Sequence, residues 1–183
     1  SVQIAAASHL GYKGKQHVKN IIKRAEELGS SIQFTLAEFL FEKGTEKDLD
    51  SLWQLFEKAH SEKLRIEILE HVKYNNDKLF TSKEDKKKWV KNLIPFLEKS
   101  ETALVIGIIK ILGAIGTIET VEALYNKGKA AIDPRIDKAI NQAIDTIQAG
   151  HGKGSEGWLS VAELRNKEGG LSLEDQKGKD GDS

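Results

Sequence analysis

A leucine followed four residues later by a glycine, and then by an amphipathic segment, recurs along this chain. The motif reads LGYKG at residues 10–14, LFEKG at 40–44 and LGAIG at 112–116. The segment after each glycine carries apolar residues at the spacing of a half-buried helix. These residues are Val18 and Ile21, Leu49 and Leu52, and Val121 and Leu124. The pattern predicts helix pairs, each joined by a turn that a glycine marks.

The glycines are expected to serve two purposes. Gly116 should lie just past the end of a first helix, in the left-handed conformation that glycine adopts without steric cost. Gly113, like Gly11 in the first pair, falls in the last helical turn. The absence of a side chain at that position would allow two helices to approach closely.

Helical periodicity continues to about residue 150, and no strand pattern precedes that point. Nine helices are predicted, at residues 1–12, 15–28, 31–43, 46–59, 61–75, 83–98, 101–114, 117–130 and 134–149. Each is too short to be stable alone, so neighbouring helices must supply the burial. Pro95 should kink or break the sixth helix.

Three segments resemble HEAT repeats of the short bacterial, lyase-HEAT-like type. They are VQIAAASHLGYKGKQHVKNII, LVIGIIKILGAIGTIETVEAL and the Asp-Pro-Arg opening of DPRIDKAINQAIDTI. The resemblance covers residues 1–150 and implies a right-handed α-solenoid whose second helices line the concave side. Lys15, Thr45 and Thr117 stand where the family often has an acidic residue. The third copy carries YNNDKLFTSKEDKKKW in place of a tight turn.

A change of composition after Gly150 predicts a flexible tail at residues 151–183. The tail contains a small duplication, GWLSVAE at 157–163 and GGLSLED at 169–175, which reads Gly-x-Leu-Ser-aliphatic-x-acidic. A chance match over so few positions is the alternative to a true duplication. The segment either folds back on the helices or serves as a linear motif for another protein. Its expected anchors are Trp158, Leu159, Leu171 and Leu173.

Composition narrows the classes of function. Basic and acidic residues balance at 28 each, which argues against bulk electrostatic binding to nucleic acid or to an anionic membrane. Cysteine is absent, so thiolate metal sites are excluded. No apolar run is long enough to span a membrane. The absence of cysteine suits the cytoplasm and the periplasm alike, and a cytoplasmic location is favoured. The chain also lacks methionine, which suggests that upstream sequence is missing.

No catalytic constellation is visible, and we expect neither an enzyme nor a cofactor. The chain contains no phosphate-binding loop and no Gly-x-Ser-x-Gly elbow. Glu67 and His71 share a helix face at the i, i+4 spacing of a metal pair, but no third ligand accompanies them. We therefore predict no metal site.

Basic residues on second helices suggest one alternative, binding to the DNA backbone. Lys19, Lys23 and Arg24 form one group, and KEDKKKWVK at residues 83–91 places five lysines beside Trp89. Acidic residues on the same helices favour the simpler interpretation, a solvated face of mixed charge.

The prediction that these features favour is a non-catalytic scaffold or adaptor that holds another protein on its concave face. Lys19, Lys23 and Tyr125 are its candidate partner-binding residues there, and the tail anchors supply a second contact. Trp53 is assigned to the core because it adjoins the stripe of Leu52 and Phe56. A HEAT-like subunit of a bilin lyase is the remaining alternative, which the resemblance alone implies.

Overall fold

A computed structural model of the protein describes residues 11–130 and 132–151, and these residues are helical with no strand. The α-helices are α1 (Gly11–Ile22), α2 (Ser30–Lys43), α3 (Leu49–Lys58), α4 (Glu62–Tyr74), α5 (Asn76–Leu79), α6 (Lys83–Leu93), α7 (Phe96–Lys99), α8 (Thr102–Ile115), α9 (Ile118–Ala130) and α10 (Pro134–His151). Two short 3-10 helices, Ala25–Glu27 and Glu46–Asp48, precede α2 and α3. The expectation of an all-α chain is confirmed for this part of the sequence.

The first predicted pair differs from the structure. Residues 1–10 of its first helix lie outside the described residues. The turn predicted at Gly14 is wrong, because α1 continues through this glycine from Gly11 to Ile22. The second predicted helix, at residues 15–28, ends early, and a separate 3-10 turn follows it.

The first helices of the pairs pack side by side in a row, in the order α2, α4, α8 and α10. Helix α8 is the most buried of them, with eight buried residues over its fourteen. A Cβ added to Gly113 would lie 2.9 Å from both Cα and Cβ of Ala143 on α10. A Cβ added to Gly107 would lie 3.4 Å from a methyl carbon of Leu69 on α4. The predicted close approach at Gly113 is therefore confirmed.

The turn glycines work differently from the expectation. Gly44 and Gly116 are extended, with φ of −70° at both and ψ of 158° and 166°. The predicted left-handed conformation of Gly116 is therefore wrong. Each glycine N–H donates to the carbonyl of the leucine four residues before it, at 2.8 Å and 2.7 Å respectively. A Cβ at either glycine would collide with that same carbonyl oxygen, so the tight helix end requires glycine.

The residue after each of these two glycines is a threonine. Its backbone N–H donates a hydrogen bond to the side chain three residues further along the chain. The Thr45 N–H donates to Oδ2 of Asp48 at 2.8 Å, and the Thr117 N–H donates to Oγ1 of Thr120 at 3.0 Å. Both acceptor residues are buried. The pairs α2/α3 and α8/α9 thus share one turn geometry. The threonine hydroxyls differ in their partners, since that of Thr45 donates to Asp48 and that of Thr117 donates to Glu119.

The third pair begins its second helix with a serine cap in place of a glycine turn. The Ser82 hydroxyl accepts the Asp85 N–H at 3.1 Å and donates to the Asp85 carboxylate at 2.7 Å. The one-turn helix α5 fills the longer connection that precedes this cap. A side-chain cap of this kind satisfies a backbone donor that the first helical turn leaves without a partner.

Two polar side chains close the end of α3. The buried Gln33 donates from Nε2 to the carbonyls of Ala25 and Lys58, at 2.7 Å and 3.1 Å, and its Oε1 accepts the His60 N–H at 3.0 Å. Arg65 donates from Nε to the Phe56 carbonyl at 3.1 Å. These bonds satisfy carbonyls that a helix end leaves without an intrahelical partner.

An aromatic cluster joins the second helices α3 and α6. The Trp53 ring centroid lies 5.2 Å from Phe56, 5.4 Å from Trp89 and 6.1 Å from Phe96. The assignment of Trp53 to the core is confirmed, because it packs against the buried cluster. Pro95 breaks the predicted sixth helix as expected: α6 ends at Leu93, and α7 starts directly after the proline, which has no N–H to continue the helical ladder.

The contact between α8 and α10 gives a test of stability. Gly113→Ala should lower the free energy of unfolding by about 1–3 kcal/mol, because the new methyl has no room against Ala143. Gly150→Ala is the matched control in α10, since nothing lies within 4 Å of a Cβ there. Urea denaturation of both variants measures the difference. Equal stability of the Gly113→Ala variant and the parent chain would contradict the close packing.

Candidate partner-binding surfaces

Lys19, a predicted partner-binding residue, forms contacts within the chain. Its Nζ lies 2.7 Å from the carboxylate of the buried Asp48 and donates to the Lys47 carbonyl at 3.1 Å. This ion pair connects α1 to the 3-10 helix that precedes α3. The Lys19 side chain is 30% exposed, so most of its surface is committed to this contact.

Lys23 and Tyr125, the other two predicted partner-binding residues of the helical region, differ in solvent exposure. Lys23 is exposed just after α1, and its carbonyl accepts a hydrogen bond from Lys58 Nζ at 2.6 Å. Tyr125 is half-buried on α9, with Lys129 Nζ 4.7 Å from its ring centroid. The structure does not bring Tyr125 and the α1 lysines into contact.

On the lysine-rich helix α6, several lysines are exposed but the tryptophan is buried. Trp89 is buried against Phe80 and Trp53, so its ring is not offered to a nucleobase. Lys88 Nζ pairs with the Asp50 carboxylate at 2.8 Å, a hydrogen bond that raises the pKa of Lys88. Lys83, Lys87 and Lys91 are exposed.

A trough of about 470 Å³ separates α6 from α9 on the side of the second helices. Val90, Ile94 and Pro95 supply its apolar wall, and Thr117 and Thr120 of the glycine turn lie opposite. Lys87, Lys91 and Glu119 line it as well, and neither lysine forms an ion pair with any described residue. The second-helix trough, defined by these residues, therefore combines an apolar surface with two available cations.

A larger cavity lies along the first helices. It has a volume of about 790 Å³ and is lined from α4 and α8, with Arg135 of α10 at one side. Ile66 and Ile106 contribute partly buried apolar surface, and Tyr74 is 78% exposed. A smaller cavity of about 220 Å³ continues it between α8 and α10, and the two share Lys73 and Lys110. We call the pair of cavities the first-helix groove.

Sequence reasoning did not identify this groove. Ile66, Tyr74 and Ile106 occupy the edges of otherwise regular apolar stripes, and only the packing of α4 beside α8 brings them together. The i, i+4 spacing of Ile66 and Glu70, and of Ile106 and Lys110, was the available signal. It places an apolar and a charged side chain on one helix face.

His71, which was considered with Glu67 as a metal pair, packs against an aromatic ring of a neighbouring helix. The His71 ring stacks on Phe41 of α2, with 4.2 Å between centroids and 15° between planes. No group of three or more metal-ligating side chains occurs among residues 11–130 and 132–151. Partial burial lowers the pKa of His71.

The tail anchors Trp158, Leu159, Leu171 and Leu173 lie outside the described residues, as does the rest of segment 152–183. The last described helix, α10, ends at His151. None of the described helices has the length and apolarity needed to cross a membrane.

Compared with protein-family models, curated proteins and solved structures, the chain matches none of them. The class of the protein therefore follows from its own geometry. The described part is an all-α protein in which two helix pairs repeat the same glycine–threonine turn, and whose first helices pack in a row.

The buried ion pair of Asp48 and the exposed ion pair of Asp50 are expected to contribute differently to stability. Asp48→Ala should lower the free energy of unfolding by about 1–3 kcal/mol, because it removes the bond to the Thr45 N–H and leaves Lys19 without its carboxylate. Asp50→Ala is the control, since its exposed pair with Lys88 contributes less than about 1 kcal/mol. Denaturation midpoints compare the two. A larger loss from Asp50→Ala would contradict the assigned roles.

The His71 environment predicts a dependence of stability on pH. A histidine whose pKa is lower in the folded than in the unfolded state stabilises the fold fully above the unfolded value, and this contribution is lost as the pH falls. Unfolding free energy should therefore decrease between about pH 7 and pH 5, around the ordinary histidine pKa of about 6.5. His71→Phe retains the ring stack on Phe41 and should flatten this slope. An unchanged slope in the variant would assign the effect to other groups.

Proposed function

We propose that this protein is a non-catalytic scaffold, a short right-handed α-solenoid of HEAT-like helix pairs that holds a partner protein against its second helices. Two features support the solenoid: the turn geometry shared by α2/α3 and α8/α9, and the side-by-side row of first helices. In a HEAT solenoid the second helices line the concave side. The lysines of α6 and the second-helix trough then face the same partner.

The second-helix trough carries this proposal. Its wall of Val90, Ile94 and Pro95 gives an inserted apolar side chain a surface to bury, and Lys87 and Lys91 attract carboxylates beside it. A partner segment with alternating apolar and acidic residues fits this chemistry. Lys23 and Tyr125 extend the proposed face along α1 and α9, and Lys19 contributes mainly to the fold.

Rigidity is what such a scaffold offers its partner. The second helices are fixed by the aromatic cluster around Trp53 and by the Gln33 and Arg65 bonds at the end of α3. Lys127 Nζ lies 3.7 Å from the Glu98 carboxylate, and this ion pair connects α9 with α7. A surface held in this way loses little conformational entropy when a partner binds.

The test is an affinity pull-down from native lysate with nuclease added. The full chain should retain one protein in stoichiometric amount, and Lys87→Glu/Lys91→Glu should lose it, since charge reversal repels an acidic segment at the trough. Lys43→Glu/Lys63→Glu is the matched control, because these exposed lysines lie on first helices.

Two outcomes would contradict the scaffold proposal, and a third would contradict the assignment of the binding site to the trough. Recovery of nucleic acid alone, with binding to random duplex that weakens steeply as salt rises, would favour the DNA-backbone alternative. Transfer of a bilin by a complex that contains the chain would favour the lyase-subunit alternative. Equal loss of the partner from both charge-reversed variants would place its binding site outside the trough.

A further inference from the structure

We propose that the first-helix groove binds this chain's own segment 157–175, which carries the duplicated Gly-x-Leu-Ser motif. None of the residues that line the groove lines the second-helix trough. The inference is therefore independent of whether a partner binds the second helices.

The chemistry of the groove suits a segment with both apolar and acidic side chains. Ile66 and Ile106 leave apolar surface partly uncovered, and the 78% exposed ring of Tyr74 stands beside them. Exposed aromatic surface next to a cavity is typical of interaction sites. The concave shape gives an inserted tryptophan or leucine contacts on several sides.

Two lysines give the groove its charge preference. Lys73 and Lys110 line both of its cavities, and neither forms an ion pair with any residue of the described ranges. Glu70 and Glu101 also line the larger cavity, and Arg135 adds a third cation, although it is paired with Asp133 at 2.7 Å. Lys73 Nζ also lies 5.2 Å from the centroid of the Tyr74 ring. The two lysines that the cavities share have no carboxylate partner among the described residues, so they are the groups that attract an acidic segment.

The tail has the complementary composition. Segment 152–183 contains seven acidic and five basic side chains, and each motif copy ends in an acidic residue, Glu163 or Asp175. Apolar side chains occur in both copies. Leu159 and Leu171 occupy the same position of the motif, and Trp158 and Leu173 lie close to them. Two copies match a groove made of two connected cavities.

Tethering makes this occupant the favoured one. Helix α10 ends at His151, five residues after Thr146, which lines the smaller cavity. Residues 102–113 of α8 extend along the groove for about 16 Å, at about 1.5 Å per residue. Twenty extended residues after His151 reach on the order of 65 Å, so segment 157–175 can cover the groove. A covalent connection of this kind raises the effective concentration of the segment to the millimolar range.

A single spin label on the full chain tests the proposal. Because the chain contains no cysteine, Glu70→Cys provides a unique attachment site beside the groove. Oxidised nitroxide there should broaden the amide NMR signals of residues 157–175, and reduction should restore them. A label at Asn20→Cys, exposed on α1, is the control and should leave these signals unchanged.

Charge reversal identifies the contact that holds the segment. Lys73→Glu/Lys110→Glu in the labelled chain should restore the signals of residues 157–175, whereas Lys43→Glu/Lys63→Glu should not. Unchanged amide signals of α6, which carries none of these four lysines and does not line the groove, show that the fold is retained in each variant.

Two results would overturn the proposal. One is the absence of broadening from Glu70→Cys, or equal broadening from Asn20→Cys. The other comes from mixing labelled, unenriched chain with unlabelled, ¹⁵N-enriched chain. Broadening in that mixture would show that the occupant is the tail of a second copy.

Discussion

The close approach of α8 to its two neighbours is the constraint on which the structure depends. Glycine within a helix costs about 1 kcal/mol relative to alanine, and α8 contains two such residues. Gly113 brings α10 against α8, and Gly107 accommodates a methyl group of Leu69 from α4. A side chain at Gly113 would hold the two helices apart, whereas a Cβ at Gly107 would meet Leu69 at about van der Waals distance. The propensity cost is offset because close packing buries the apolar residues of three helices together.

Polar contacts at the helix ends then determine how each second helix is placed. Extended glycines end α2 and α8, threonine N–H groups are bonded three residues ahead, and Gln33 and Arg65 close the end of α3. The bonds formed by Gln33, Arg65 and Asp48 use few side chains of the outer surfaces. The second-helix trough and the first-helix groove are consequently free to carry binding chemistry on separate sets of helices, which is the basis of both proposals.

Much of the fold is predictable from apolar spacing, and the failures have physical causes. Helices α2, α4 and α8 lie within one residue of their predicted ends, because strong periodicity and turn glycines mark them. The left-handed Gly116 was a wrong expectation, since a clash between a Cβ and a carbonyl oxygen selects glycine as effectively as a positive φ. Gln33 shares the buried face of Leu36 and Leu40, and a polar residue on that face was the available sign of its role. The candidate surfaces depend on contacts between distant segments. Spacing within one helix indicates which residues share a face, but it does not indicate which other helix that face meets.

The central claim is that the first helices form one continuous row with α8 between α4 and α10. Nuclear Overhauser contacts of glycine α-protons test it most directly, because glycine has no side chain to carry the signal elsewhere. The account predicts contacts from Gly113 Hα to the Ala143 methyl and from Gly107 Hα to a Leu69 methyl. Absence of both contacts, with the Gly113 α-protons instead close to side chains of α3 or α6, would contradict the row and the two surfaces derived from it.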